Sequence, residues 1–199
     1  MNWSKFPEIT TDRLLLTELH LTDVPLIVKY ADNKNISDNT LNLPYPYAEK
    51  DAHYWLNMAS EGFINKTKLI FAIRSKESYG FMGSVGLTLE QHSFRAEIGY
   101  WLAEPFWKKG YMTEAVQATI RFGMEQLHLN KISGHYFEKN VASGQVMSKC
   151  GMQKEGVLKE HVFKDPLFHN LIVYGITQRE FQSISQTNSN SAKRTQTSP

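Results

Sequence analysis

Apolar residues along this chain change their spacing several times, and each change marks a predicted element. Arg13 to Leu19 is short and aliphatic and reads as a strand. Thr22-Asp23 then supplies a capping residue before a helical pattern through Pro25, Ile27 and Tyr30. Asn33 to Pro46 is rich in Asn, Asp and Pro, with Pro44 and Pro46 restricting the chain beside Tyr45 and Tyr47, which predicts a loop. A second helix follows from Glu49 to Ser60. Next come strand-like runs at Lys68 to Arg74, Phe81 to Leu89 and Arg95 to Leu102, whose short polar separations predict antiparallel neighbours.

From Thr113 the period changes: Val116, Ile120, Met124 and Leu127 recur at three- and four-residue spacing, the mark of an amphipathic helix. Ile132 to Phe137 reads as a strand. Val141 to Cys150 is a short helix with Val146, Met147 and Cys150 on one stripe, and Gly151 stops it. Strands at Gln153 to Phe163 and Phe168 to Thr177 close a mixed α+β domain of about seven strands and about four helices, expected over residues 1–181. Residues 182–199 are rich in Ser, Thr, Asn and Gln with few apolar side chains to repay ordering, so a disordered tail is expected there.

Composition narrows the function classes. The 199 residues are 41% hydrophobic and 12% aromatic, enough for one good core. With 22 Lys and Arg against 20 Asp and Glu, the net charge of +2 gives no strong basic field, and direct nucleic-acid binding is not expected. Cys150 is the single cysteine, so an intramolecular disulfide is excluded; together with an N-terminus lacking a signal pattern, this favours a cytoplasmic location. No apolar run reaches the ~18 to 20 residues of a membrane span. The seven histidines show no metal-ligand spacing, so no metal is expected.

The chemistry concentrates where a strand meets the best helix, Leu102-Ala103-Glu104-Pro105-Phe106-Trp107-Lys108-Lys109-Gly110-Tyr111-Met112-Thr113. The first N–H groups of a helix lack intrahelical partners and sit at the positive end of its dipole, which suits a phosphate. Gly110 permits close approach, Lys108 and Lys109 add charge, and the Thr113 hydroxyl adds a donor. Alone, Lys-Lys-Gly is a glycine turn with solvated lysines; its place between strand and helix makes it a candidate anion cradle.

Several segments together resemble the GNAT acetyltransferases, in particular the RimJ- and RimL-like branch. These are Thr11-Asp12-Arg13-Leu14-Leu15-Leu16, Ala96-Glu97-Ile98-Gly99-Tyr100-Trp101-Leu102, Gly110-Tyr111-Met112-Thr113-Glu114-Ala115, Asn140-Val141-Ala142-Ser143, and Lys149-Cys150-Gly151-Met152 with Glu155-Gly156. The resemblance implies the GNAT fold, a mostly antiparallel twisted sheet flanked by helices, with acetyl-CoA as acetyl donor. The family's pyrophosphate loop is usually Gln/Arg-x-x-Gly-x-Gly/Ala; here Trp107 holds the first position and the bulkier Met112 the last, narrowing the approach of the phosphates. By resemblance, the pantetheine arm lies along Ile98, Tyr100 and Leu102, with Asn140 on that arm and Ser143 near the thioester sulfur.

Acetyl transfer needs a neutral amine, a polarised carbonyl and a stabilised leaving thiolate. Glu97 is the candidate base; strand alternation sets it opposite Ile98 and Tyr100, and it reads equally as an exposed carboxylate or a partner for Arg95. Many GNAT enzymes place an acidic tyrosine where this chain has Met147, which leaves Ser143 or a water to meet the thiolate. Cys150 reads as a small buried hydrophobe. The acceptor pocket is expected to use Tyr45 and Tyr47 from the loop, with Glu160 or His161 from the late strands. The acceptor is expected to be a protein N-terminal α-amine; a small-molecule amine is the alternative, and a CoA-binding module without activity a third reading. The chain is expected to be a monomer or homodimer.

Overall fold

In a computed structural model, residues 5–195 are described. The elements run in the order β1 (Ile9–Thr10), β2 (Leu14–Thr17), α1 (Val24–Ala31), α2 (Lys34–Ser37), α3 (Glu49–Ile64), β3 (Lys68–Ser75), β4 (Phe81–Glu90), β5 (Arg95–Leu102), α4 (Tyr111–Glu125), β6 (Lys131–Phe137), α5 (Val141–Lys149), β7 (Gln153–Lys164), β8 (Leu167–Thr177) and α6 (Gln178–Thr195). The strands form one sheet ordered β1-β2-β3-β4-β5-β6-β8-β7. Every neighbouring pair is antiparallel except β5 and β6, which α4 links as a parallel crossover.

The eight strands exceed the expected seven because β1, held only by Ile9↔Leu16 and Thr10↔Leu15, is too short to show a period. Two helices were also not expected. Within the predicted loop, Asn33 caps α2 by accepting from the Asn35 N–H at 2.8 Å. Beyond Phe181 the chain continues as α6 to Thr195, where composition predicts no order; residues 196–199 of that expected tail lie outside the described residues. Its start is a reciprocal cap: Glu180 accepts from the Thr177 N–H and hydroxyl, at 2.8 and 2.7 Å. No helix among the described residues is long and apolar enough to cross a membrane.

Strand alternation sorts the core onto two faces. Leu69, Phe71, Val85, Leu87, Ile98 and Leu102 turn toward α4, whose Val116, Ile120 and Met124 are the buried stripe that its periodicity predicts. Ala72, Phe81 and Trp101 pack instead against Ile27 of α1 and Ala52 and Leu56 of α3. A buried ion pair pins this second layer: Arg74 on β3 grips Asp23 bidentately, both contacts at 2.7 Å.

The feature that positions the site is a fork in the sheet. β5 pairs with β4 along its whole length, Arg95↔Glu90 to Leu102↔Gly83, but with β6 only at Arg95↔Lys131, Ala96↔Ile132 and Glu97↔Ser133. β6 continues on β8 from Lys131↔Thr177 to Phe137↔Leu171. Past Glu97 the two central strands therefore part. Gly134 stands where they separate, and a Cβ there would lie 3.0 Å from Ile98 Cγ2 and 2.9 Å from Met147 Cε.

Candidate active site

A cleft of about 850 Å³ opens at the fork and reaches both faces of the sheet. At one end is the start of α4. Lys108 and Gly110 take left-handed backbone conformations, φ 60° and 79°, and these turn the chain from the strand into the helix so that the first amides of α4 face the cleft. Lys108, Gly110, Tyr111 and Thr113 line this end. Lys109 does not: its ammonium turns back to the Pro105 carbonyl at 2.9 Å, so of the two predicted lysines Lys108 lines this end. Met112 also lines this end, with its side chain 8% exposed and packed against the core beneath the turn.

Along the α4 face of β5, Ile98 and Leu102 are buried and Tyr100 crosses toward α5. The Tyr100 hydroxyl donates to the Ser143 carbonyl at 3.1 Å and lies 2.8 Å from Ser143 Oγ. Burial pushes the phenol well above its ordinary value and outweighs the opposing bond from Ser143. Asn140 caps α5, with its Oδ1 accepting from the Ser143 N–H at 3.2 Å and its Nδ2 donating to the Asn39 carbonyl at 3.2 Å. Its side chain thus shapes the cleft wall and joins it to the loop after α2. Met147 is a core residue at 1% exposure; the phenol beside Ser143 Oγ comes from Tyr100 on the strand.

Glu97 lies on the opposite face. Arg95 is taken by its cross-strand neighbour Glu90, so it is no partner for Glu97. Instead Glu97 Oε2 stands 3.5 Å from His135 Nδ1, across the point where β5 and β6 part. The bond to His135 holds the Glu97 carboxyl below its ordinary value, against the upward push of partial burial. Both residues line the cleft. Beside them Gly99 leaves an open floor, since a Cβ built there meets nothing within 4 Å. Lys68 and Thr88 extend the row from Glu97 across β4 to β3, and the Lys68 ammonium lies 3.1 Å from Met58 Sδ.

The predicted acceptor residues are placed elsewhere. Tyr47 is buried at 4% exposure in the layer between α1 and α3, and Tyr45 is exposed away from the cleft; the same loop contributes Asn39 to Leu43 instead. Glu160 and His161 sit in a β7 bulge where the register on β8 slips between Leu158 and Val162, with Glu160 at φ 48°. The bulge carries them away from the main cleft, and Glu160 lines only a small separate hollow. Lys164 is the residue of that hairpin that reaches the cleft loop, donating to the Ser37 and Thr40 carbonyls at 2.6 and 2.7 Å. Burial pushes the Cys150 thiol up to about 12, which leaves it unsuited to nucleophilic attack.

His135 and Tyr100's hydroxyl contact escaped the sequence reading for one reason. Alternation assigns faces within a strand, but which strands lie side by side after a long crossover is a matter of topology.

Known proteins agree with this geometry. A family profile described as "Acetyltransferase (GNAT) domain" matches residues 13–153. The uncharacterized N-acetyltransferase p20 of Bacillus licheniformis is 28% identical over 175 residues, covering 86% of this chain and 96% of its own. The [ribosomal protein uS5]-alanine N-acetyltransferase of Escherichia coli is 25% identical over 155 residues, 73% of this chain and 77% of its own. Among solved structures, Mycobacterium smegmatis RimJ in complex with CoA-disulfide superposes with a TM-score of 0.77 at 19% identity, over 84% of this chain and 83% of that one. A profile spanning most of the chain, on a sheet that forks beside a glycine-led helix start, places the protein in the GNAT acetyltransferase family as an N-acetyltransferase.

Proposed function

We propose that the protein transfers the acetyl group of acetyl-CoA directly to a protein N-terminal α-amine, with a ribosomal protein as acceptor and the cytoplasm as its place of action. The observation that carries this reading is the division of the cleft. The start of α4 and the Tyr100–Ser143 pair stand on one face, and the Glu97–His135 pair stands beside the open floor at Gly99 on the other. The fork connects the two, so donor and acceptor can meet between β5 and β6. Relatives that include the uS5-alanine N-acetyltransferase favour a peptide amine over a small one. A free α-amine has a pKa near ~7.7 to 8.0, against ~10.4 for a lysine side chain, and needs only modest help from a base.

In this scheme Lys108 and the first amides of α4 bind the pyrophosphate, and the unpaired edge of β5 from Ile98 to Leu102 receives the pantetheine arm. The acceptor nitrogen enters over Gly99 and attacks the thioester carbonyl. Its proton passes to the Glu97–His135 pair as the C–N bond forms. When the C–S bond breaks, the thiolate accepts a hydrogen bond from the Ser143 hydroxyl, which Tyr100 holds in place.

Thiol release should be followed with acetyl-CoA and three acceptor sets: peptides with free N-termini, the same peptides N-terminally blocked, and small amines. Turnover confined to free N-termini is expected. Turnover of small amines alone would replace the peptide acceptor with a small-molecule one.

A further inference from the structure

Two segments singled out in the sequence, Thr11-Asp12-Arg13-Leu14 and Gly110 to Ala115, are halves of one contact. Arg13 and Glu114 are 101 residues apart, yet the Glu114 carboxylate is enclosed by the N-terminal segment. Its Oε1 accepts from the Thr11 hydroxyl at 2.6 Å and from the Arg13 N–H at 2.9 Å. Its Oε2 accepts from Arg13 Nε and pairs with Nη2, both at 2.7 Å. The remaining arm of the guanidinium, Nη1, donates to the Lys109 carbonyl at 3.0 Å, and the group lies 4.4 Å above the Tyr111 ring. Arg13 thus touches the residues on both sides of Gly110 and the carboxylate in the first turn of α4.

That carboxylate is a problem for an anion cradle. The start of a helix carries roughly half a positive charge, and a full negative charge within its first turn would reverse the local sign. A guanidinium paired to it restores the positive balance, and its planar fork can bind carboxylate and carbonyl together. The Lys109 bond also restrains the turn in which Lys108 and Gly110 adopt left-handed conformations.

We propose that Arg13 is a positioning residue for the acetyl donor. It neutralises Glu114, so that the start of α4 presents a positive cradle to the pyrophosphate. The proposal rests on the reading of acetyl-CoA as donor. It assigns no contact between Arg13 and the phosphates.

Calorimetric titration of the full chain with CoA tests it. Arg13→Met, which keeps the stem over Tyr111, should weaken CoA binding by about ten- to thirtyfold, the equilibrium equivalent of a helix-terminus charge effect at its upper end. Adding Glu114→Gln should bring the double variant back to within about threefold of the unaltered protein, because the charge that Arg13 neutralised is gone. Arg13→Lys, which keeps the charge and loses the fork, should also stay within about threefold. A purely structural clamp predicts the opposite for the double variant, with affinity no better than Arg13→Met and a lower melting temperature. That result, or an unchanged affinity in Arg13→Met, overturns the proposal. Should Arg13→Met fail to fold, Arg13→Lys and Glu114→Gln decide. A tenfold loss in the former, or any loss in the latter, overturns it. No CoA binding by the unaltered protein would instead refute the donor reading on which the proposal stands.

Discussion

Replacing Tyr100 with Phe removes one oxygen and leaves the ring packed against the core. That oxygen makes two contacts with Ser143, 3.1 Å to the carbonyl and 2.8 Å to the hydroxyl, in a largely buried setting. A hydrogen bond of this kind is worth about 0.5 to 1.5 kcal/mol net. Folding stability should therefore fall by about 1 kcal/mol, or about 2 to 4 °C in melting temperature. The same anchor holds the hydroxyl proposed to meet the thiolate. If its full value is expressed in the transition state, kcat falls about fivefold. KM for acetyl-CoA should change by less than about threefold, because the cradle lies on another element.

Burial raises the Tyr100 phenol, so it remains protonated at neutral pH and its contribution is lost only as pH rises above the ordinary phenol range. The deficit in Tyr100→Phe should accordingly be flat from about pH 6 to 9. Initial rates of thiol release, with Ser143→Ala and the double variant alongside, provide the assay. In the double variant the two losses should not add. A Tyr100→Phe enzyme with unchanged kcat and the lowered melting temperature would refute the reasoning and leave the tyrosine a structural role.

Glu97→Gln should lower kcat/KM about a hundredfold at neutral pH by removing a member of the proton-accepting pair. Because the Glu97 carboxyl is held below its ordinary value of 4.5, its stabilising effect is present above that pH and lost as pH falls through the lowered value. The melting temperature of Glu97→Gln should therefore lie below the parent's above about pH 4.5 and converge on it as pH falls below that value; unaltered turnover would end the assignment. Gly110→Asp places a carboxylate at a φ of 79° beside Arg13, whose Nη2 is 3.4 Å from the site of the new Cβ. CoA binding in calorimetry should fall more than about a hundredfold through charge repulsion and the competing pull on Arg13. Asp23→Ala strands the buried Arg74 charge, with side chains of Arg74 and Asp23 only 12% and 6% exposed. The cost should be about 3 to 5 kcal/mol, a melting-temperature drop of about 6 to 20 °C by calorimetry.

Much of the architecture was legible because it is local. The four-residue spacing of Val116, Ile120 and Met124 predicts the buried stripe of α4, and the runs at Lys68, Phe81 and Arg95 become β3, β4 and β5 in antiparallel contact. What was misread depends on departures from a period. The Leu158–Val162 bulge undoes alternation for Glu160 and His161, and Tyr47 is drawn into a core that its Pro-flanked loop gives no reason to expect. Lys109 carries the same charge as Lys108, but only the backbone path through the turn decides which ammonium faces the cleft.

By itself the sequence determined the elements, the glycine-led helix start that suits an anion, and the face on which Glu97 lies, because each follows from residues within a few positions of one another. Only the tertiary structure decided what meets across the chain. The crossover through α4 sets β6 beside β5 and then lets it diverge, opening the cleft and bringing His135 to Glu97. The same folding carries Arg13 to Glu114 and Tyr100 to Ser143. The physical reason is that periodicity records which way a side chain points, whereas its partner is chosen by strand order, register and packing of segments far apart in sequence.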